Sequence, residues 1–319
     1  VSKGLKDFSI SRTNLNWGIN VPKENKHTFY VWFDALLGYI SALSINNQEV
    51  SLENTLNIGW PANIHLIGKD ILRFHAVYWP AMLMSAGIGI PNKVFGHGFL
   101  TREGQKMGKS LGNVLDPNLL LSKYGNDPVR WFLLKDISLG SDGDFQDRRF
   151  VDIINNDLAN TIGNLLNRST SMSRKWFDNN TPSDFSDLND TIHKLSTETV
   201  GNYITYLNKY NLDLALGEIL NFAIKINLYL NDQQPWVLIK NSDDIQKVKF
   251  IIYNVLESSR IIGQLLKPIL PNLSNKINDQ LGLGYLDSLS WTEQLNWGHL
   301  KKGTNLPKPN PIIEKLNYE

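Results

Sequence analysis

The feature that most limits what this chain can fold into is a change of rhythm near Phe150. Before it, short β-branched and aromatic runs alternate with helical patterns; after it, long helical periods with polar breaks take over. Residues 28–33 read as a strand, and 34–43 as a helix that Asp34 is placed to cap. Residues 63–67 form a second short apolar strand. Gly68-Lys69-Asp70 then turns into a helix with Ile71, Phe74, Tyr78 and Met82 at helical spacing, and 93–95 supply a third strand. Strand, helix, strand, helix, strand with short links is the grammar of a parallel sheet covered by helices, in which ligands sit at the carboxyl ends of the strands.

Beyond that point the spacing predicts helices over 150–177, 192–210, 212–231 and 245–266, separated by Asn-Asn-Thr-Pro at 179–182, Gln-Gln-Pro at 233–235 and Lys-Pro at 267–268. This second half reads as an all-α bundle. The tail after Trp291, with Pro307, Pro309 and Pro311, reads as an extended strap over the surface. A chain of 319 residues is long enough for two cores. The expected division is an α/β domain over 1–149 and a helical domain with its strap over 150–319.

Composition narrows the function classes. The most apolar stretches, 64–67 and 81–90, are short or broken by Gly and Pro, far below bilayer length. No cysteine is present, which excludes disulfides and thiolate metal sites, and six scattered histidines offer no close zinc-ligand pair. A formal net charge of +1 gives no global pull on nucleic acid, so RNA binding would have to come from local patches and stacking.

The candidate chemistry starts in the segment 96–113, rich in glycine and carrying Arg102, Lys106 and Lys109, which reads as an exposed, mobile loop. Lys106 and Lys109, three apart beside Gly108, can both face one phosphate group, each as a point charge with three donors. The transition state of nucleotidyl transfer gathers negative charge on phosphate oxygens, so fixed ammonium groups stabilise it more than they stabilise bound substrate. Asp70, just after Gly-Lys, is placed to cap its helix or to meet a ligand at the end of a strand. Asn164 and Arg168 are four apart and share a helix face, and Trp236 follows a helix end where an indole can be presented to an unpaired base.

The run Lys106-Met107-Gly108-Lys109-Ser110-Leu111-Gly112-Asn113 resembles the lysine-methionine-serine-lysine-serine signature of class I aminoacyl-tRNA synthetases, with Gly108 where serine is common. Two further stretches narrow the resemblance to methionyl-tRNA synthetases: Tyr30-Val31-Trp32-Phe33-Asp34-Ala35-Leu36-Leu37-Gly38-Tyr39, and Ile67-Gly68-Lys69-Asp70-Ile71-Leu72-Arg73-Phe74-His75-Ala76-Val77-Tyr78-Trp79-Pro80-Ala81. Gly4-Leu5-Lys6-Asp7 and the 124–130 stretch extend it over essentially the whole chain.

That resemblance implies a Rossmann-like catalytic half followed by an anticodon-binding domain. It implies a methionine side-chain pocket of Trp32, Ala35, Tyr39, Ile71, His75 and Trp79; a soft thioether suits such aromatic edges. Asp70 would hold the adenosine ribose, Lys106, Lys109 and Ser110 would handle ATP, and Asn164, Arg168 and Trp236 would read the anticodon. His97 would be a structural neighbour of the nucleotide. The activity implied is ATP-dependent activation of methionine and its transfer to methionine tRNA, with Mg2+ accompanying ATP and no zinc held by this chain.

The family's early His-x-Gly-His segment and metal-binding insertion are missing from this sequence, so a further amino-terminal catalytic half is the expected partner, and the chain alone is expected to be inactive. A cytoplasmic monomer is expected, with an organelle as the alternative compartment. The rival readings are a class I synthetase for leucine, valine, isoleucine or cysteine, and a non-catalytic tRNA-binding module.

Overall fold

The structure, a computed structural model, describes residues 4–15, 17–44, 51–186 and 191–318. The chain packs as two compact units that divide between Gly98 and Phe99.

In the first unit, β1 (Ser11–Arg12), β2 (Asn20–Val21) and β3 (Glu24–Phe29) form an antiparallel sheet in the order β1-β3-β2. The strand expected over 28–33 therefore lies earlier. Tyr30 is the extended N-cap of α1 (Val31–Ala35), with no side-chain cap bond, and Asp34 sits inside the helix rather than capping it. Val31, Trp32 and Phe33 carry strand propensity, but the packing of Trp32 against a neighbouring core overrides it. Trp32 packs as helix on a small core of Leu36, Ile40, Trp79 and Leu83, to which α2 (Gly38–Ser41) contributes Ile40. α3 (Leu52–Gly59) follows, capped by the Ser51 hydroxyl, which accepts from the Asn54 amide at 3.2 Å.

β4 (His65–Gly68) and β5 (Val94–His97) pair in parallel, with His65 opposite Val94 and Gly68 opposite His97. The crossover between them is one winding path: a 3-10 turn at Lys69–Ile71, a π-helical turn at Phe74–Tyr78 and α4 at Trp79–Ser85. Its buried row is His75, Trp79 and Leu83, spaced four apart, while Ile71, Phe74, Tyr78 and Met82 flank it half-buried. Full burial of Leu83 alone contributes about 2 kcal/mol.

The second unit opens on a hairpin, not an irregular loop: β6 (Leu100–Arg102) and β7 (Gln105–Lys106) are antiparallel, and β8 (Gly143–Phe145) joins β6 in parallel. Glu103 and Gly104 both have positive φ, +50° and +74°, the two-residue turn that matches strand twist. Between β7 and β8 lie α5 (Pro117–Tyr124) and α6 (Asn126–Lys135).

Helix then dominates, as the rhythm near residue 150 implied. α7 (Asp147–Ile153), a π-helical stretch (Ile154–Gly163) and α8 (Asn164–Trp176) run on without a break. α9 (Thr191–Asn208), α10 (Leu212–Gln233), the short α11 (Pro235–Leu238) and α12 (Ile245–Leu266) follow, then α13 (Pro271–Leu281) and α14 (Trp291–Gln294). α12 is the central rod, buried from Phe250 to Leu266. Its polar residues survive there because they are paired: Arg260 grips Glu257 through two bonds of 2.9 and 2.7 Å, and Glu257 accepts from the amides of Gly298, His299 and Leu300.

The proline-containing tail is a docked strap. The Leu306 amide donates to the Asn179 carbonyl at 2.7 Å, Ile312 is buried, and Asn155 exchanges two hydrogen bonds with the backbone of Leu316.

Candidate functional site

The first unit gathers aromatic rings beside its parallel pair. Trp32 enters from α1, Tyr39 from α2, and His75 and Trp79 from one face of the crossover. Trp32 meets the His75 ring edge-on at 6.0 Å, and Tyr39 meets His75 at 5.6 Å and Trp79 at 6.5 Å. The Tyr39 hydroxyl lies 2.9 Å from His75 Nε2, and His75 Nδ1 lies 3.0 Å from the Ile71 carbonyl. A carbonyl only accepts, so Nδ1 carries a proton there, and in that tautomer Nε2 accepts from the Tyr39 hydroxyl. Burial raises the Tyr39 phenol above its ordinary range.

Four of the six residues expected to line a side-chain pocket thus form one connected ring cluster, and Ile71 joins it through its carbonyl. Ala35 is exposed, one turn after Trp32 on the same helix face. Three members were not singled out from sequence. Phe74 stacks on Trp32 at 4.4 Å; His65 accepts a bond from Trp79 Nε1 at 3.2 Å; Trp60 lies 5.9 Å from Trp79. Strand alternation could have found His65, since His65 and Ile67 point inward while Leu66 is exposed.

At the carboxyl end of the same strands, Gly68 occupies the N-cap of the 3-10 turn and Asp70 lies within the turn, so Asp70 is not the cap. Its carboxylate folds back over Gly68: a Cβ at residue 68 would stand 2.6 Å from Asp70 Oδ1. His97 ends β5 opposite Gly68, and its Nδ1 bonds the Gly98 carbonyl at 2.9 Å. Asp70 is exposed, which leaves the carboxylate open to a hydroxylated ligand.

In the second unit, the β6–β7 hairpin carries Lys106 into a tight loop. The Asn113 side chain closes it, accepting from the Gly108 amide at 2.9 Å and donating to the Lys106 carbonyl at 3.2 Å. Gly112, at φ +64°, ends the following 3-10 turn. Lys106, Lys109 and Ser110 are all exposed on this loop. Gly108 is extended, and a Cβ there would meet only ordinary contacts at 3.7 Å, so neither space nor backbone demands glycine. Asp144 holds the hairpin from below: it accepts from the Thr101 hydroxyl at 2.7 Å, the Gly104 amide at 2.9 Å and Gln146 at 2.8 Å, and these bonds hold its carboxyl below the usual range.

The bundle brings Arg168 and Trp236 together. Gln234, left-handed at φ +43°, ends α10 and swings Pro235–Leu238 round, with Pro235 buried and Trp236 38% exposed. The Arg168 guanidinium lies 5.7 Å from the indole centroid and donates to Asn231 Oδ1 at 2.8 Å. Asn164 is exposed one turn earlier, where the π-helical stretch gives way to α8. Asn231 is a further member that sequence reasoning missed.

Comparison with known proteins bears on both regions. Residues 1–170 match the family model for class I (M) tRNA synthetases, and 182–319 match the anticodon binding domain of methionyl tRNA ligase. The chain is 47% identical to a methionine–tRNA ligase of Nostoc over 99% of its own length and 61% of the relative's. It is 45% identical to the chloroplastic/mitochondrial methionine–tRNA ligase of Arabidopsis thaliana, covering 99% of this chain and 52% of that one. Among solved structures, Mycobacterium tuberculosis methionyl-tRNA synthetase in complex with methionyl-adenylate superposes with a TM-score of 0.85 at 40% identity, over 98% of this chain and 61% of that chain. The chain thus spans about half to three fifths of the length of the relatives it matches.

Proposed function

Because the chain belongs to the methionyl-tRNA synthetase family, we propose that it supplies part of the activation site and the tRNA-reading domain of a methionine–tRNA ligase. In the reaction, the methionine carboxylate attacks the α-phosphorus of ATP and pyrophosphate leaves. The terminal ribose hydroxyl of methionine tRNA then attacks the adenylate's carbonyl and AMP leaves. Mg2+ enters with ATP as part of the substrate.

The observation that carries this reading is the ring cluster tied by the Tyr39–His75 hydrogen bond. Trp32, Tyr39, His75 and Trp79, with Ala35 and Ile71 beside them, give a thioether soft aromatic contact and one polar handle. Asp70 takes the ribose hydroxyls. Lys106 and Lys109 meet the phosphates, with Ser110 as a neutral donor, and stabilise the charge that builds on the departing pyrophosphate. Arg168 and Trp236 stack and bond the bases of an unpaired anticodon, with Asn164 beside them.

Functionally we divide the chain at residue 150, the catalytic part before it and the anticodon domain after it. Activation requires methionine and ATP oriented together, and the relatives that carry this chemistry are longer than the present chain, so the activity proposed is that of the full-length ligase. No helix among the described residues is long and apolar enough to cross a membrane. We place the enzyme in the cytoplasm as a monomer; the plant relative makes an organelle the alternative.

Methionine-dependent ATP–pyrophosphate exchange and tRNA charging by the full-length protein test the proposal. Exchange driven by methionine and abolished in Lys106→Ala or Lys109→Ala supports it. Exchange driven by leucine, valine, isoleucine or cysteine instead, or charging indifferent to both lysines, overturns it.

A further inference from the structure

His65 has no role in the reaction as described, yet it is the residue that joins the ring cluster to the sheet. It opens β4, is only 5% exposed, and shares its surroundings with four aromatic rings. Its Nε2 accepts from the Trp79 indole at 3.2 Å. Its ring lies against the Tyr39 ring at 4.3 Å, 6.0 Å from His75 and 6.1 Å from Trp60. Tyr39, Trp60 and His65 together line a cavity of about 270 Å³.

We propose that His65 is a positioning residue of the methionine pocket: its Nε2 holds the Trp79 indole and its ring holds the plane of Tyr39, so that the Tyr39 hydroxyl stays on His75. The inference rests on the synthetase reading above and goes beyond it, since His65 lies behind the rings rather than among the side chains assigned to the substrate.

The chemistry restricts His65 to one state. An indole nitrogen only donates, so the His65 Nε2 facing it must be bare and the proton must sit on Nδ1. A second proton would put two donors face to face. The titratable groups that face His65 are Tyr39 from α2 and His75 from the crossover. Burial, and then the proximity of His75, lower the His65 pKa, which keeps the acceptor bare at neutral pH. With the indole N–H occupied, the pocket presents the Tyr39–His75 pair as its polar handle.

The test uses the full-length enzyme. His65→Leu keeps bulk and loses the acceptor, whereas His65→Gln can place an amide oxygen near the lost Nε2. His65→Leu is expected to raise the KM for methionine roughly tenfold, about the worth of one buried hydrogen bond, with the KM for ATP within about twofold. His65→Gln is expected to recover most of that loss. In the wild type the KM for methionine climbs as the pH falls below the ordinary histidine range, and His65→Gln flattens the climb. Equal rises in both KM values, a fall in kcat alone, or a glutamine variant as damaged as the leucine one would overturn the inference. A wild type that activates no methionine would remove the reading beneath it.

Discussion

The guanidinium of Arg168 lies 5.7 Å from the centre of the Trp236 ring while donating to Asn231 at 2.8 Å. Three elements of the bundle thereby converge on one exposed point, with the arginine's orientation fixed before any ligand arrives. Removing the ring should cost a stacked base about 1–3 kcal/mol. We expect Trp236→Ala to lower kcat/KM for tRNA by roughly ten- to a hundredfold, and to leave pyrophosphate exchange unchanged. Charging kinetics with saturating methionine and ATP check this; an unchanged tRNA dependence would remove Trp236 from the reading surface.

Tyr39→Phe deletes the hydroxyl that bonds His75 and leaves the ring stack intact. One hydrogen bond of this kind is worth about 1 kcal/mol. The KM for methionine should rise about fivefold, with the KM for ATP steady, when exchange is measured at varied concentrations of each substrate.

Gly68 is glycine because the Asp70 carboxylate occupies the space a Cβ would need, 2.6 Å away. Its φ of −66° is ordinary, so alanine strains no backbone there. Gly68→Ala should therefore displace the carboxylate rather than unfold the chain. The expected signature is a raised KM for ATP with little change in thermal stability. A rise in the KM for methionine alone would contradict the ribose role proposed for Asp70.

Asp144, in β8, links that strand to the hairpin that bears Lys106 through two hydrogen bonds, from Thr101 and Gly104, and accepts a third from Gln146 on its own segment. The Thr101 hydroxyl is the largest cause of its depressed pKa, followed by the Gly104 amide and Gln146. A carboxyl with a lowered native pKa adds stability that is fully present above its ordinary value of about 4 and is lost as the pH falls through the depressed one. Asp144→Asn should flatten this acid limb. Thermal denaturation of variant and wild type across that range provides the comparison, and parallel curves would count against the assignment.

Glu257 and Arg260 are fully buried and answer one another inside α12. Truncating Glu257 to Ala strands the guanidinium without its counter-charge, a loss of about 3–5 kcal/mol. It also frees the amides of Gly298, His299 and Leu300. Denaturant unfolding should show a lowered midpoint, with Glu257→Gln intermediate.

Much of the bundle was legible because helical spacing repeats over many turns: the expected 245–266 helix is α12 residue for residue. Short elements were less so. Residues 28–33 look like a strand by composition, but Tyr30 turns the chain into α1 because Trp32 has a core to reach. Residues 96–113 look like a loop because glycine and lysine dominate, yet Glu103 and Gly104 make a hairpin turn that local composition hides. The site splits the same way. Tyr39, His75 and Trp79 were named from the family pattern and the fold brings them together, whereas His65 and Asn231 join their clusters through partners distant in sequence, Trp79 and Arg168.

The strap gives this chain a time order as well as a shape. Asn155 and Leu316, paired by two hydrogen bonds, are 161 residues apart, so their contact closes a very large loop. Such closure is entropically costly, so we expect it to follow the transition state, once the helices it crosses are in place. Weakening the pair with Asn155→Ala should therefore leave the refolding rate almost unchanged and speed unfolding. The strap acts as a latch on the lifetime of the native bundle rather than as part of its nucleus.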